Sequence, residues 1–334
     1  MKIAVVGMGV AGSYLVNNLS DEHSVVGYER QSKNQFDAVC AWGTTKRLMN
    51  GFMKDCGLNF DDYVYHDGKE MEVDMGEDKI WINLKGLCTY DKAKLEEDVI
   101  DGHDVRFGKY VTPQSISKDY DKIIDATALR AILPIDKKRM MIPCIEYKVK
   151  YKVRPYDDLY IKPNPSLSGY FWYFPLGDGY AHIGAGDFFR NHNNVVNEFM
   201  KKYPCEVIKK LGRPIGLSPP SKCEPFYQDN VVGVGESIGT VFPILGEGII
   251  PSLQCSCLLL DNLDDMESYR RKVLENFGAF DAVYELVRAK IEKRFTMTTN
   301  FLDLLRMYFY MKRREDRFGL QVNLRELMGM IRRV

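Results

Sequence analysis

Three groups of residues in this 334-residue chain have types and spacings that can do chemistry. The first is Gly7-Met8-Gly9-Val10-Ala11-Gly12, followed seventeen residues later by Glu29 and then Arg30. In such a run the first glycine makes a tight turn, the second lets backbone approach a pyrophosphate, and the third lets a helix pack on a strand. The N–H groups that open the helix then hold phosphates. A carboxylate at Glu29 accepts hydrogen bonds from ribose hydroxyls and repels a 2′-phosphate, which favours FAD or NAD over NADP. The second group is Tyr170, Trp172 and Phe174, ahead of Pro175. In a strand these three rings share one face, which either lines an apolar tunnel or fills a sheet core. The third is the set of eight cysteines, of which Cys40 either approaches the cofactor or serves as a small buried hydrophobe. Cys255 and Cys257, two apart on a helix, point in different directions, and the five histidines fall at no metal or triad spacing, so no metal site is expected.

The elements that must position these groups have two textures. Residues 3–6 are an apolar run before the glycines, residues 13–19 read as a helix, and residues 25–28 form a second apolar run ending at Glu29. Residues 123–127, which include Asp125 and Ala126, form another buried strand running into a turn. Residues 231–235 return to that texture, followed by a glycine-rich turn and an apolar helix from near Gly248. Between them the pattern changes. Residues 62–84, broken at Asp67-Gly68 and Gly76, predict hairpins. Tyr147, Val149, Tyr151 and Val153 alternate with Lys148, Lys150, Lys152 and Arg154, which predicts a strand with one buried face and one solvated lysine row. Strands follow at 159–162, 170–174 and 180–184, giving an antiparallel sheet. From Met266 onward the spacing is helical.

The expected fold is therefore α/β: a Rossmann-type FAD-binding domain, discontinuous in sequence, with an antiparallel-sheet substrate domain and a helical C-terminal region. The expected divisions are 1–56, 87–135 and 228–262 for the cofactor domain, 57–86 for inserted hairpins, 136–227 for the substrate domain and 263–334 for the helical region.

Lys+Arg and Asp+Glu both number 46, so no net field gathers nucleic acid. Scattered cysteines and glycines too early for a secretory signal point to a reducing cytoplasmic setting. The stretch 248–260 falls short of the roughly 20 apolar residues that span a bilayer. Residues 293–334 carry ten basic and four acidic side chains among Leu304, Leu305, Met307, Phe309 and Met311. Such a helix either packs on its own domain or a second subunit, or lies on an anionic membrane surface.

Several segments resemble known flavoproteins. Residues 233–249, with Glu236, Gly246, Gly248 and Ile249, are similar to the second flavin motif of the p-hydroxybenzoate-hydroxylase-like superfamily, with Glu236 in place of the usual aspartate. Residues 120–128 resemble its DxxIxATG segment, with Ala128 for the glycine. Where those proteins carry an arginine, this chain has Cys88 at about that place, and Lys92 is the nearby cation. Tyr170-Phe171-Trp172-Tyr173-Phe174-Pro175 matches the YxWxFP motif of geranylgeranyl reductases, and Val39-Cys40-Ala41-Trp42-Gly43-Thr44 sits where they carry a cysteine- and glycine-containing loop beside the flavin. The resemblance to archaeal-type geranylgeranyl reductases covers about residues 1–260. It implies FAD, an isoprenoid or prenyl-lipid substrate, an electron donor that the sequence does not identify, and reduction of carbon–carbon double bonds. It places Gly7, Gly9, Ala11, Gly12, Glu29, Arg30, Cys40, Ala41, Gly43, Asp125, Ala126, Glu236, Gly246, Gly248 and Ile249 at the cofactor. Tyr170, Trp172, Phe174 and Pro175 fall at the substrate, with Cys40 and Tyr170 as the catalytic candidates. The alternatives are a flavin monooxygenase or halogenase of the same superfamily and a non-enzymatic electron-transfer flavoprotein.

Overall fold

The computed structural model describes residues 1–37, 40–116, 119–134 and 139–333, so Val39 and the expected division at 135/136 lie outside it. A six-stranded sheet carries the glycine motif. Its order is Tyr227–Gln228, Val231–Gly233, Lys122–Asp125, Lys2–Val6, Ser24–Tyr28 and Val105–Arg106. Only the Tyr227–Gln228 pairing is antiparallel. Ile3, Ala4 and Val5 are wholly buried, as a central parallel strand covered on both faces requires. The helices Val10–Leu19 and Ile249–Leu260, which start at the two glycine turns, pack against each other.

A seven-stranded sheet stands opposite, ordered Glu206–Gly216, Met141–Lys150, Tyr180–Asp187, Gly169–Gly177, Leu159–Pro163, Glu70–Asp74 and Lys79–Asn83. All its pairings are antiparallel except Leu159–Pro163 with Glu70–Asp74. Residues 57–86 contain an expected hairpin, Glu70–Asp74 with Lys79–Asn83, and it joins the large sheet. Glu70–Asp74 and Lys79–Asn83 extend the substrate sheet, while Val64–Asp67 joins Leu87–Tyr90 and Gly43–Thr45 in a small three-stranded sheet.

Both faces of the large sheet are covered. Its back face packs Ile145, Tyr147, Val149, Phe171, Tyr173 and Ile183 under the helix His192–Lys202, through Val196 and Phe199. The front face bears Cys144, Glu146, Trp172, Phe174 and His182. The expected lysine row thus holds only at one end of the strand, since the ladder stops at Lys150, Val153 is 85% exposed, and Lys148 Nζ lies 5.0 Å above the Trp42 ring. Gly184 is a glycine for a packing reason: a Cβ there would meet the Trp172 ring at 2.4 Å.

The C-terminal helices Met266–Phe277, Ala279–Ile291, Phe301–Lys312, Glu315–Phe318 and Leu324–Arg333 pack on this frame, burying Leu304, Met307, Tyr310 and Met311. The packing half of the sequence alternative describes them. Arg317 is their anchor: its guanidinium sits 4.9–5.8 Å from the rings of Phe242, Phe280, Tyr310 and Phe318 and pairs with Glu247 at 2.9 Å.

Asp125, wholly buried at the end of its strand, accepts hydrogen bonds from the amides of Thr127, Ile132 and Leu133 and from the Thr127 hydroxyl. Each buried donor left unpaired costs roughly 1–3 kcal/mol. Asp125→Ala is therefore expected to lower unfolding stability by at least about 3 kcal/mol, the sum of three orphaned amides. Chemical denaturation checks this, and a loss below about 1 kcal/mol, less than a single orphaned donor, would contradict the role.

Candidate functional site

One cavity of about 780 Å³ runs between the two sheets, and most of the residues singled out in the sequence line it. At one end are Gly7, Gly9, Ala11, Glu29, Arg30 and Ala126. Gly7 has φ +95°, and a Cβ there would meet the Ala126 carbonyl oxygen at 2.7 Å. A Cβ on Gly9 would meet nothing within 4 Å, because the space above it is the cavity. Gly12 does not line the cavity; a Cβ on it would strike the Gly7 carbonyl oxygen at 1.8 Å, so it serves close packing behind the turn. Glu29 accepts from the Met8 amide through one oxygen and from the Gln31 amide through the other, both at 2.9 Å. Each carboxylate oxygen has a second lone pair to offer. An open helix start, a glycine that leaves room, and a carboxylate on the neighbouring strand fit an adenine dinucleotide.

The middle of the cavity is framed by Cys40, Ala41 and Gly43 on one side and by Gly246, Gly248 and Ile249 on the other. A Cβ on Gly43 would meet the Phe174 ring at 2.6 Å, so this loop rests directly on the aromatic strand. Trp42 within it holds φ +58°, a conformation that is uncommon for a bulky residue. The helix Ile249–Leu260 points its N-terminus into the space, which favours negative charge there. Glu236 lines the wall, but its carboxylate is engaged, accepting from Arg213 and from the Gly216 amide at 2.9 Å each. Asp125 stands behind the wall as a loop anchor, and Pro175 also lies outside the lining, its carbonyl accepting the Thr89 hydroxyl.

Of the charged groups here, sequence reasoning singled out Lys92 and passed over Glu96, Glu146 and His182. Lys92 and Glu96, both almost fully buried, form an ion pair in the cavity wall, and burial raises the Glu96 carboxyl above its usual range. Cys88 is wholly buried and points its thiol at the Thr44 carbonyl, so Lys92 is the cation of this region. Glu146 lines the cavity from the front face of the large sheet, with His182 beside it. Their signal was present: extending the alternation of Lys148 and Lys150 backward reaches Glu146 and Cys144.

The far end is mainly apolar, with Gln321, Asn323 and Glu326 the polar residues that the C-terminal segment adds to it. Tyr170, Trp172 and Phe174 form one wall, and Leu320, Val322, Leu327, Met330 and Ile331 of the C-terminal segment form another. The Tyr170 hydroxyl donates to the Leu245 carbonyl, which ties the aromatic strand to the glycine turn, and burial raises its pKa. Cys40 lines the cavity, and burial pushes its thiol up to about 11, outweighing the pull of Lys92 and Arg213.

No family model matches the chain. It is 29% identical over 121 residues to digeranylgeranylglycerophospholipid reductase 1 of Methanosphaera stadtmanae, a match spanning 34% of this chain and 30% of that protein. The chain thus aligns with less than a third of the curated relative's length. A geranylgeranyl bacteriochlorophyll reductase-like protein from Thermoplasma acidophilum superposes with TM-score 0.74 at 15% identity, covering 99% of this chain and 95% of its own. A probable FAD-dependent monooxygenase from Pseudomonas aeruginosa superposes with TM-score 0.61 at 16% identity, covering 86% of this chain and 95% of its own. These likenesses support the resemblance to geranylgeranyl reductases drawn from the motifs, and the solved structures show the same fold.

A thiol at about 11 against an ordinary 9 is a hundredfold poorer in thiolate at neutral pH, and the thiolate is the nucleophile. Cys40 is thus expected to alkylate roughly 100-fold more slowly at pH 8 than an unperturbed thiol, its rate climbing until about pH 11. Peptide mapping after timed iodoacetamide treatment measures this, and labelling at an ordinary rate would contradict the burial argument.

Proposed function

We propose that the protein is an FAD-dependent reductase acting on carbon–carbon double bonds of an isoprenoid chain. The observation that carries the proposal is continuity: one cavity joins a dinucleotide-shaped end at Gly9 and Glu29 to an apolar end walled by aromatic and C-terminal side chains. The curated relative's name supports a prenyl-lipid substrate. FAD, when bound and reduced, supplies a hydride.

The chain's own residues do the rest. Gly7, Gly9 and Ala11 place helix N–H groups against the phosphates, and Glu29 accepts from a ribose. The loop at Cys40 to Gly43 and the turn at Gly246 to Gly248 hold the ring system from two sides, with the second helix start stabilising negative charge. Tyr170, Trp172 and Phe174 orient the hydrocarbon and exclude water, so that binding geometry supplies much of the rate. Exposed Phe301, Leu302 and Phe309 beside Arg306 and Arg313 form the surface through which a peripheral contact with an anionic membrane would be made. Among the described residues no helix is long and apolar enough to cross a membrane.

The purified protein is expected to be yellow and to release FAD on denaturation; release of NAD without flavin would sink the proposal. Under anaerobic conditions the reduced protein is expected to reoxidise when a geranylgeranyl substrate is added. A requirement for oxygen would instead favour the monooxygenase reading.

Glu29→Ala is expected to raise the dissociation constant for FAD at least tenfold. Charge-assisted hydrogen bonds are worth roughly 1.5–3 kcal/mol, and the variant also frees the Met8 amide that shapes the turn. An unchanged flavin titration would remove Glu29 from the cofactor site.

Trp172→Ala is expected to abolish turnover of long prenyl chains while FAD stays bound, because its ring sits against Gly184 on the substrate side. Flavin loss with general unfolding would assign this strand to the core alone.

A further inference from the structure

Addition of a hydride to a carbon–carbon double bond needs a proton for the second carbon, and the candidates already described are poorly placed to give one. The Tyr170 hydrogen is engaged by the Leu245 carbonyl, and the Cys40 thiol is held up near 11.

The front face of the large sheet offers a stronger acid. Glu146 sits mid-strand, 2% exposed, and reaches the cavity lining. Its Oε1 lies 3.3 Å from His182 Nδ1, whereas Oε2 is buried with no hydrogen-bond partner among the described residues. His182, 3% exposed, has Nδ1 3.1 Å from the Cys40 carbonyl, and a carbonyl can only accept. Nδ1 therefore donates to that carbonyl, with Glu146 Oε1 3.3 Å from the same nitrogen, and Trp42 packs on the ring at a centroid distance of 4.5 Å. His182 thus secures one oxygen of the carboxyl and leaves the other turned away. A carboxylate oxygen buried without a partner is costly, and a carboxylic O–H is not a buried charge.

We propose that Glu146 is the acid that delivers the proton in the double-bond reduction, with His182 as its positioning residue. The inference rests on the proposed function. In the step, the π bond of the alkene breaks as hydride supplied by the reduced flavin forms one C–H bond. The carboxylic O–H bond of Glu146 breaks, its proton forms the second C–H bond, and the two electrons come from the flavin, which is oxidised. The carboxylate left behind is reprotonated from solvent once product departs.

Burial holds the Glu146 carboxyl above the usual carboxylate range, helped by Asp37 and opposed by His182 and the Cys40 amide. On the neighbouring strand, Arg213 is committed to Glu236 and Lys209 to Asp37.

Glu146→Gln tests this, because glutamine has the shape of the neutral acid and carries no acidic proton. Infrared difference spectra of the whole chain at neutral pH, wild type against Glu146→Gln, are expected to show a protonated-carboxyl stretch that the variant lacks. With dithionite-reduced protein and geranylgeranyl diphosphate under anaerobic conditions, the variant is expected to lose at least 100-fold in rate while its FAD dissociation constant and melting curve stay as in wild type. If Glu146→Gln does not fold, Glu146→Asp, which retracts the acid by one methylene, is expected to keep the infrared band and lose at least tenfold in rate. Absence of the band in wild type, or a wild-type rate in the variant, overturns the proposal while leaving the functional reading intact. A wild-type protein that binds FAD but reduces no prenyl chain overturns the functional reading and the proposal together.

Discussion

The cavity exists because a buried side chain with no exposed surface, Asp125, holds two crossings of the chain in place. Its carboxyl gathers the amides of residues 127, 132 and 133, and its own backbone carbonyl accepts the Ser237 hydroxyl and the Val234 amide. The first crossing carries Ala126 past the Gly7 turn, and the second carries the chain to Glu236 and onward to the turn at Gly246. Two loops that each lack regular hydrogen bonding thereby share one anchor. A buried polar network of this kind is stabilising only when every member is satisfied, which is why the residue is an aspartate and not a hydrophobe.

Opposite that anchor, the large sheet does two jobs with one set of strands. Period-two alternation sends Tyr147, Phe171 and Tyr173 to a conventional aromatic core under a helix, and sends Cys144, Glu146, Trp172 and Phe174 toward the cavity. The cavity-side residues pack down onto the sheet because glycines at 184 and 186 leave room for the Trp172 ring and the Cys144 sulfur. A Cβ at Gly186 would meet the Cys144 sulfur at 2.7 Å. The wall is wide because the Trp172 ring lies flat over a residue without a side chain.

The two glycine turns and the parallel strands between them were legible in the sequence, since short apolar runs flanked by glycines leave few alternatives. The aromatic strand was legible for the same reason. Less visible were the parts that depend on contacts distant in sequence. The pairing of Glu70–Asp74 with Leu159–Pro163 joins segments nearly ninety residues apart, and nothing local distinguishes that strand from one in a free hairpin. Asp125 read as a cofactor residue because residues 120–128 resemble a segment that crosses near the flavin; only the amides it gathers reveal its other role. Glu146 and His182 went unnoticed because the alternation seemed to begin at Tyr147, one residue too late. The C-terminal helices matched no motif, and their side chains at the cavity follow from tertiary packing alone.

The seating of Arg317 couples two regions that the chain order separates. Its partner Glu247 lies between Gly246 and Gly248, and the other Glu247 oxygen accepts the Ile250 amide at the start of the helix that faces the cavity. A ligand pressing on that turn and the C-terminal helices pressing on Arg317 therefore act on the same carboxylate. One carboxylate therefore ties the start of the cavity-facing helix to the C-terminal helices. The C-terminal segment is thus part of the cavity's own frame, lining it through Leu320, Val322 and Leu327 and bolted through Arg317 to the turn on the other side.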